Sequence, residues 1–186
     1  MQSNPERFLT SERLGFVVWE EKLRPWARRL YGCDDVTRLI GGPFSQEQID
    51  QRFAQEIAHQ ERWGVQYWPM VLRETNSFVG CCGLHPYQPE RSAYELGFHL
   101  LPEFWGQGLG TEAASAVIQH AFTTLEVKVL VSGHHPNNER SGALLQKLGF
   151  DFTHDAFYEA TGLRHPMYIL FPQDWRRTAV SVGSAQ

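Results

Sequence analysis

The chain has 186 residues, of which 42% are hydrophobic and 13% aromatic, enough for one domain with a full core. A formal net charge of −4 argues against nucleic acid or an anionic membrane as a partner. Three cysteines, two of them adjacent, and the absence of any signal-peptide or membrane-length apolar run predict a reduced, cytoplasmic protein.

The first half of the chain alternates strand-like and helix-like segments. Residues 8–18 predict one strand. Helices are then predicted over residues 20–31, 34–40 and 46–62, and strands over residues 67–73 and 78–85. Glu74-Thr75-Asn76-Ser77 joins these two strands as a hairpin turn, and residues 86–91 follow as a loop.

The third predicted helix has a start signal and two different faces. Ser45 and Gln48 have the spacing of a capping box. Its apolar residues recur at helical spacing and should face the core; these are Ile49, Phe53, Ile57 and Ala58. The polar positions should face solvent; these are Gln51, Gln55 and Glu56.

A strand, a glycine-rich turn and a helix occupy the middle of the chain. Residues 94–100 mix aromatic and aliphatic side chains, as a buried strand does, and residues 111–125 favour a helix. Glycines alternate between them, where the backbone can adopt φ > 0 and a ligand can approach bare amides. Free N–H groups at such a helix start form an anion site suited to phosphate.

Two common phosphate-binding motifs do not fit this turn. A P-loop needs a lysine before the closing Ser or Thr, but Gly110 is followed directly by Thr111. A Rossmann turn needs Gly-x-Gly-x-x-Gly after the first strand, and both spacing and position differ here. A plain surface loop is the alternative to a ligand site.

The C-terminal third predicts a strand over residues 128–133, a helix over residues 138–147 and a strand from residues 150–153. Residues 165–171 should form the strand that closes the sheet, and residues 178–186 a flexible tail. Residues 8–177 are therefore predicted to form a single α/β domain with a mixed sheet, in which three antiparallel strands precede the central helix.

The central segment resembles the acetyl-CoA-binding motif of the GNAT N-acetyltransferases, Arg/Gln-x-x-Gly-x-Gly/Ala. The matching segment is Trp105-Gly106-Gln107-Gly108-Leu109-Gly110, in which Trp105 departs from the general pattern. The continuation Thr-Glu-Ala is similar to the ribosomal-protein-alanine (Rim-type) branch. A second block, Asn138-Glu139-Arg140-Ser141 followed by Lys147-Leu148-Gly149-Phe150, is also similar to that branch.

The resemblance implies the GNAT acyl-CoA N-acyltransferase fold, with a mostly antiparallel central sheet that is splayed in the middle and flanked by helices. Acetyl-CoA would be the co-substrate, and no metal is implied. The backbone at the turn would bind the pyrophosphate, through Trp105, Gly106, Gln107, Gly108, Leu109, Gly110 and Thr111. The pantetheine arm would lie along Phe98, His99 and Leu100, with Asn138 as a further contact.

Acetyl transfer needs a base for the amine and an acid for the leaving thiolate. Glu95 is the first candidate for the base, because a carboxylate on an apolar strand has a raised pKa. His99 and His135 are alternatives. A solvated or salt-bridged Glu95, and histidines that serve only as structural hydrogen-bonding groups, are the competing interpretations.

For the acid, many GNAT enzymes use a tyrosine at the position that Leu145 occupies here. The Rim branch resembles a serine-based arrangement, which makes Ser141 the candidate and assigns Asn138 to the pantetheine or a water molecule. Both residues are also common helix caps. His134 and His135 do not predict a metal site, because adjacent histidines on an extended segment point apart.

The acceptor site is expected between the N-terminal helices, residues 81–91 and residues 157–165. Its aromatic candidates, for which core packing is the alternative, are Trp26, Tyr31, Tyr87 and Tyr158. The expected acceptor is a primary amine, either a protein N-terminal α-amine or a small molecule. The alternative function is a catalytically inert acyl-CoA-binding sensor, and a homodimer is suggested by family habit.

Overall fold

Eight strands form one sheet in the order β1-β2-β3-β4-β5-β6-β8-β7. The computed structural model describes residues 5–175, so the predicted tail over residues 178–186 lies outside the described part. The strands are β1 (Leu9–Thr10), β2 (Leu14–Phe16), β3 (Tyr67–Leu72), β4 (Phe78–Gln88), β5 (Ala93–Leu100), β6 (Val129–Gly133), β7 (Asp151–Tyr158) and β8 (Leu163–Leu170). The helices are α1 (Arg24–Tyr31), α2 (Asp34–Thr37), α3 (Gln46–Trp63), α4 (Leu109–Thr123) and α5 (Glu139–Lys147).

The N-terminal segment is a hairpin, so the prediction of one strand over residues 8–18 was wrong. β1 and β2 pair antiparallel, with Thr10 opposite Gly15. The turn closes through Ser11, whose backbone N–H donates to the carbonyl of Leu14 at 2.9 Å. The strand pattern of the sequence continues through this turn, which is why periodicity alone did not reveal it.

Helix boundaries in the N-terminal half follow local signals. The predicted helix over residues 20–31 starts as a 3₁₀ turn and becomes α-helical at Arg24, which leaves Pro25 in the first turn, where its missing N–H costs nothing. The capping box of α3 is confirmed: the Gln48 N–H donates to Ser45 Oγ at 3.2 Å, and the Ser45 N–H donates to Gln48 Oε1 at 2.8 Å. Gly64, with φ of 69°, ends the helix.

Glu56 of α3 faces the core, although the sequence predicted that it would face solvent. Glu56 is only 3% exposed, whereas Ala58, predicted to face the core, is exposed. The carboxylate of Glu56 accepts a hydrogen bond from the backbone N–H of Tyr67 at 2.7 Å and contacts His85 Nε2 at 2.8 Å. These partners offset the cost of burying the charge.

The C-terminal strands are longer than predicted and their order differs. β8 pairs with β6 on one side and β7 on the other, so β7 closes the sheet, not residues 165–171. The inner strand β8 contains buried Tyr168 and Leu170, whereas β7 is almost entirely exposed. β4 also extends through the predicted loop to Gln88, across a register irregularity after Pro86.

Alternation along the central strands divides the core into two layers. Cys82 and Leu84 of β4 pack with α4, whereas Cys81 belongs to the layer formed by α1 and α3. The α4 layer includes Val117 and Ile118, both 0% exposed. Within residues 5–175, no helix is long and apolar enough to cross a bilayer.

Replacing Ile118 by alanine should lower the free energy of unfolding by about 2–5 kcal/mol, because the cavity would lie in a fully packed layer. The matched Ile118→Val variant should lose about 0.5–1.5 kcal/mol. Urea titration followed by circular dichroism measures both. Equal stability of the two variants would contradict the buried position of Ile118.

Candidate active site

A gap between β5 and β6 is the central feature of the sheet. These two strands are parallel and pair only over Ala93–Glu95 and Val129–Val131. Beyond that point β5 continues to Leu100 paired only with β4, and β6 continues to Gly133 paired only with β8. The predicted splay in the middle of the sheet is therefore present and begins directly after Glu95.

The backbone of β5 presents alternate residues to this gap. The carbonyl of Leu96 accepts a hydrogen bond from Ser132 Oγ of β6 at 2.8 Å, so the backbone of Leu96 points toward the gap. The two-residue period of a strand then directs the amides of Phe98 and Leu100 the same way. The carbonyl of His99 instead points at β4, where it would collide with a Cβ on Gly80. Of the three predicted pantetheine residues, His99 therefore directs its backbone carbonyl toward β4 and not toward the gap.

The glycine turn leads from β5 into α4. Gly106 and Gly108 have φ of 73° and 76°, in the left-handed region that favours glycine. A Cβ at Gly106 would meet nothing within 4 Å, so the backbone there is open. Gly110 lies inside α4, which begins at Leu109 and not at the predicted Thr111.

The start of α4 presents unpaired amides. The first helical bond in this turn runs from the Glu112 N–H to the Gly108 carbonyl at 3.1 Å. The N–H groups of Leu109, Gly110 and Thr111 precede it and have no helical acceptor, and no side chain among residues 5–175 caps the helix. This arrangement, together with the helix dipole, suits an anionic group.

Two side chains of the turn brace its backbone. Trp105 Nε1 donates to the carbonyl of Leu100 at 2.7 Å, and Gln107 Nε2 donates to the carbonyl of Glu103 at 2.8 Å. The first bond occupies the carbonyl of Leu100 at the end of the gap. The roles of Trp105 and Gln107 seen here are thus to shape the loop.

An ion pair that the sequence did not predict fixes α4 to the N-terminal hairpin. Glu112 accepts hydrogen bonds from Ser11 Oγ at 2.7 Å and Arg13 Nε at 2.7 Å. Arg13 Nη1 also donates to the carbonyl of Gln107 at 3.0 Å, within the glycine turn. Burial opposes ionisation of Glu112, but the hydrogen bonds from Ser11 and Arg13 outweigh it and lower its pKa.

The start of α5 lies beside the start of α4. A Cβ on Gly110 would lie 3.5 Å from the Leu144 side chain of α5. Because β5 and β6 are parallel and each leads into one of these helices, both helix starts lie at the carboxyl end of the gap, where open α/β sheets bind ligands.

Asn138 caps α5, as the alternative interpretation of this residue proposed. Asn138 precedes α5, and its Oδ1 accepts a hydrogen bond from the Ser141 N–H at 3.3 Å. Ser141 is partly buried in the first turn. Leu145, at the position of the family tyrosine, is 1% exposed and packs in the α4 layer, so it has no polar role.

Glu95 lies where strand pairing ends. It is opposite His85 on β4 and opposite Val131 on β6. Burial raises the pKa of the Glu95 carboxyl, and nearby His85 partly opposes this effect. In the described part of the chain no salt bridge involves Glu95, so the ion-paired alternative is not supported, and the side chain is partly exposed.

The alternative bases are less suitable. Burial, and then the charges of Arg52 and His85, lowers the pKa of His99 to about 4, so its imidazole would hold a proton weakly at neutral pH. His135 is 8% exposed, and its Nδ1 accepts the Asn137 N–H at 3.1 Å. His134 Nδ1 lies 2.8 Å from the carbonyl of His135.

The four aromatic acceptor candidates divide between core and surface. Tyr31 is 2% exposed and bonds Cys81 Sγ at 3.6 Å, and Trp26 stacks on Phe78 at 4.8 Å. Tyr87 and Tyr158 are exposed. Tyr31 therefore belongs to the core, as its alternative interpretation proposed.

A cavity of about 430 Å³ opens at the amino ends of β5 and β6. Val131 lines it, and this residue pairs with Glu95 and so shares its face of the sheet. Tyr87 and Arg91 contribute polar groups. The cavity lies on the paired side of Glu95, which does not itself line it, and the glycine turn lies beyond the carboxyl end of the gap.

Comparisons with known proteins agree with this geometry. A model of the GNAT acetyltransferase domain matches residues 13–151. The Bacillus subtilis protein YoaA, an uncharacterized N-acetyltransferase, is 30% identical over 131 residues, 67% of this chain and 73% of that protein. The Escherichia coli ribosomal protein uS5-alanine N-acetyltransferase is 36% identical over 56 residues, 30% of this chain and 29% of that protein.

A solved structure extends the similarity over most of the fold. The acetyltransferase from Agrobacterium tumefaciens superposes with a TM-score of 0.75 at 26% identity, covering 87% of this chain and 92% of that one. The domain match includes both the glycine turn and the block that starts α5. The chain therefore belongs to the GNAT family and is an acetyl-CoA-dependent N-acetyltransferase.

Proposed function

We propose that the protein moves the acetyl group of acetyl-CoA to a primary amine by direct attack within a ternary complex, with Glu95 as the base. The observation that carries this proposal is the position of Glu95. It is partly buried, without a salt bridge among residues 5–175, at the point where β5 and β6 separate. A carboxylate with a raised pKa can take a proton from an ammonium group and leave a neutral nucleophile.

Acetyl-CoA would be bound by main-chain groups. The free amides of Leu109, Gly110 and Thr111 suit the pyrophosphate, because they point outward at the positive end of the α4 dipole. The pantetheine would extend along the gap and bond Phe98 and Leu100 of β5 as an added strand does. Arg13, whose charge is paired with Glu112, would hold the turn in place through its bond to the carbonyl of Gln107.

The bond changes are those of aminolysis. Glu95 takes one proton from the ammonium group, and the neutral amine then attacks the thioester carbonyl. As the carbon–sulfur bond breaks, the nitrogen loses its second proton to solvent water. The departing thiolate then takes a proton from Ser141, which Asn138 holds in the first turn of α5. Glu95 and Ser141 return to their starting states by exchange with solvent.

Substituting Ser141 by alanine should lower kcat by about 10- to 100-fold, which is at or below the lower end of the usual contribution of a general acid. The Kd of acetyl-CoA should change by less than about threefold. The reason is that the hydroxyl acts on the leaving sulfur, while the backbone N–H of Ser141 still bonds Asn138. Steady-state kinetics and calorimetry measure the two quantities. Ser115→Ala on α4 is the control. Equal losses in kcat and affinity would exclude the acid role.

The acceptor would enter through the cavity near Tyr87 and Arg91. The uS5-alanine acetyltransferase suggests a protein N-terminal α-amine, and a small-molecule amine fits the same opening. Release of free thiol from acetyl-CoA should therefore depend on an added amine. A panel of N-terminal peptides, polyamines and amino acids tests this.

Thiol release with one class of amine would identify the acceptor. Binding of acetyl-CoA without thiol release from any class would contradict catalysis and favour the inert acyl-CoA-binding module. The Tyr87→Ala variant should raise the KM of the accepted amine at unchanged acetyl-CoA affinity, because Tyr87 lies on the cavity wall away from the glycine turn.

A further inference from the structure

Three possible metal ligands converge on the α3 face of the sheet. Glu56 and His59 lie three residues apart on α3, so they share one face of the helix, and His85 comes from β4. One ligand atom from each side chain lies within 4.8 Å of the other two. This spacing of glutamate and histidine also occurs in helical metal sites.

His59, the histidine that α3 contributes to this cluster, has a buried nitrogen without a hydrogen-bond partner among residues 5–175. This nitrogen is Nδ1, and it is the one buried side-chain nitrogen or oxygen in that range without a partner. A buried polar atom without a partner is costly. A metal ion bound at Nδ1 would supply the partner.

We propose that Glu56, His59 and His85 bind a Zn²⁺ ion. Two imidazole nitrogens and one carboxylate are a common zinc ligand set, and such three-residue sites keep the fourth position for water or another ligand. Zn²⁺ at about 2.0–2.1 Å from each ligand requires ligand atoms about 3.3 Å apart. His85 Nε2 and Glu56 Oε1 are already 2.8 Å apart, so mainly the His59 ring must move.

Outer contacts hold two of the ligands in place. The second carboxylate oxygen of Glu56 accepts the Tyr67 N–H at 2.7 Å, which leaves Oε1 for the metal. The Tyr67 ring stacks on the His85 ring at 3.6 Å with an interplanar angle of 3°. Gln66 Nε2 also donates to the Glu56 carbonyl at 3.1 Å. Such contacts orient ligands and increase metal affinity.

The simpler alternative is a metal-free cluster in which Glu56 and His85 share a hydrogen bond. That arrangement accounts for two of the residues and leaves His59 Nδ1 unexplained. The two possibilities differ in what His59 contributes. In the metal-free cluster it adds only packing, whereas in the zinc site it provides a ligand.

The test is direct metal binding by the full chain, without acetyl-CoA or amine, so its failure would leave the acetyl-transfer proposal standing. Protein dialysed against chelator should bind one Zn²⁺ per chain by calorimetry at neutral pH. Co²⁺ in its place should give the visible absorption of a tetrahedral site. Saturating Zn²⁺ should raise Tm by about 5 °C or more, since binding stabilises only the folded state.

His59→Ala should weaken Zn²⁺ binding at least tenfold and abolish the Co²⁺ spectrum. The control His154→Ala, which removes an exposed histidine of β7, should leave both unchanged. Far-ultraviolet circular dichroism verifies folding, and Glu56→Gln provides a second ligand variant of nearly equal size. No stoichiometric binding by the wild type, or equal binding by His59→Ala, would overturn the proposal.

Discussion

Replacing Glu95 by glutamine should lower kcat for acetyl transfer by about 10²–10⁴-fold. The amide is nearly the same size and can still hydrogen-bond, but it cannot accept a proton from the ammonium group. The Kd of acetyl-CoA should change little, because the proposed cofactor contacts are main-chain groups of β5 and the glycine turn. Steady-state kinetics at saturating substrates, with calorimetry for acetyl-CoA, measures both.

The pH dependence gives this prediction an independent readout. Burial raises the folded-state pKa of Glu95, and a base acts only when deprotonated. The wild-type rate should therefore fall as pH drops through a pKa higher than that of an ordinary carboxyl. Glu95→Gln should lack this acid limb. The same raised pKa means that Glu95 favours folding below its unfolded pKa, and that this contribution is lost as pH rises through the folded value.

Glu90→Gln is the matched control for Glu95→Gln, since Glu90 is exposed just before β5. It should keep both the rate and the acid limb. An unchanged kcat in Glu95→Gln would exclude Glu95 as the base. His99 would then remain as an alternative, although its pKa of about 4 predicts an acid limb at lower pH.

Replacing Gly108 by valine should weaken acetyl-CoA binding by about 100-fold. The φ of 76° at Gly108 is unfavourable for a β-branched residue, at about 1–2 kcal/mol. Relief of this strain would turn the α4 amides away from the proposed pyrophosphate position. Each lost amide contact to a charged group removes about 1.5–3 kcal/mol. Calorimetric titration with acetyl-CoA measures the loss.

Gly64→Val is a control that distinguishes a lost binding site from the general effect of backbone strain. Gly64 ends α3 with a φ of 69°, and a Cβ there would meet nothing within 4 Å. The two variants therefore carry similar backbone strain at different places. Gly64→Val should lose stability and retain acetyl-CoA affinity, so equal affinity losses in both variants would contradict binding at the glycine turn.

Much of the local structure of the candidate cofactor region could be predicted from sequence because its signals are local. Glycines at positions 106 and 108 require backbone freedom, and both have positive φ. Asn138 is a favoured cap residue and caps α5. The predicted GNAT fold is confirmed by the sheet and by the domain match.

The features that sequence did not reveal depend on contacts between distant segments. Arg13 meets Glu112 across 99 positions, and nothing near either residue indicates the other. Glu56 occupies a polar position of an amphipathic helix, and only the proximity of Tyr67 and His85 makes its burial favourable. The β7–β8 order was missed because either strand of a hairpin can pair with β6, and burial of Tyr168 favours β8.

Initial velocities measured over a grid of acetyl-CoA and amine concentrations test the central claim most directly. Direct attack in a ternary complex predicts double-reciprocal lines that intersect, and no acetylated protein by mass spectrometry after incubation with acetyl-CoA alone. Parallel lines together with a stable acetyl-enzyme would show a covalent intermediate. That result would contradict direct transfer at Glu95.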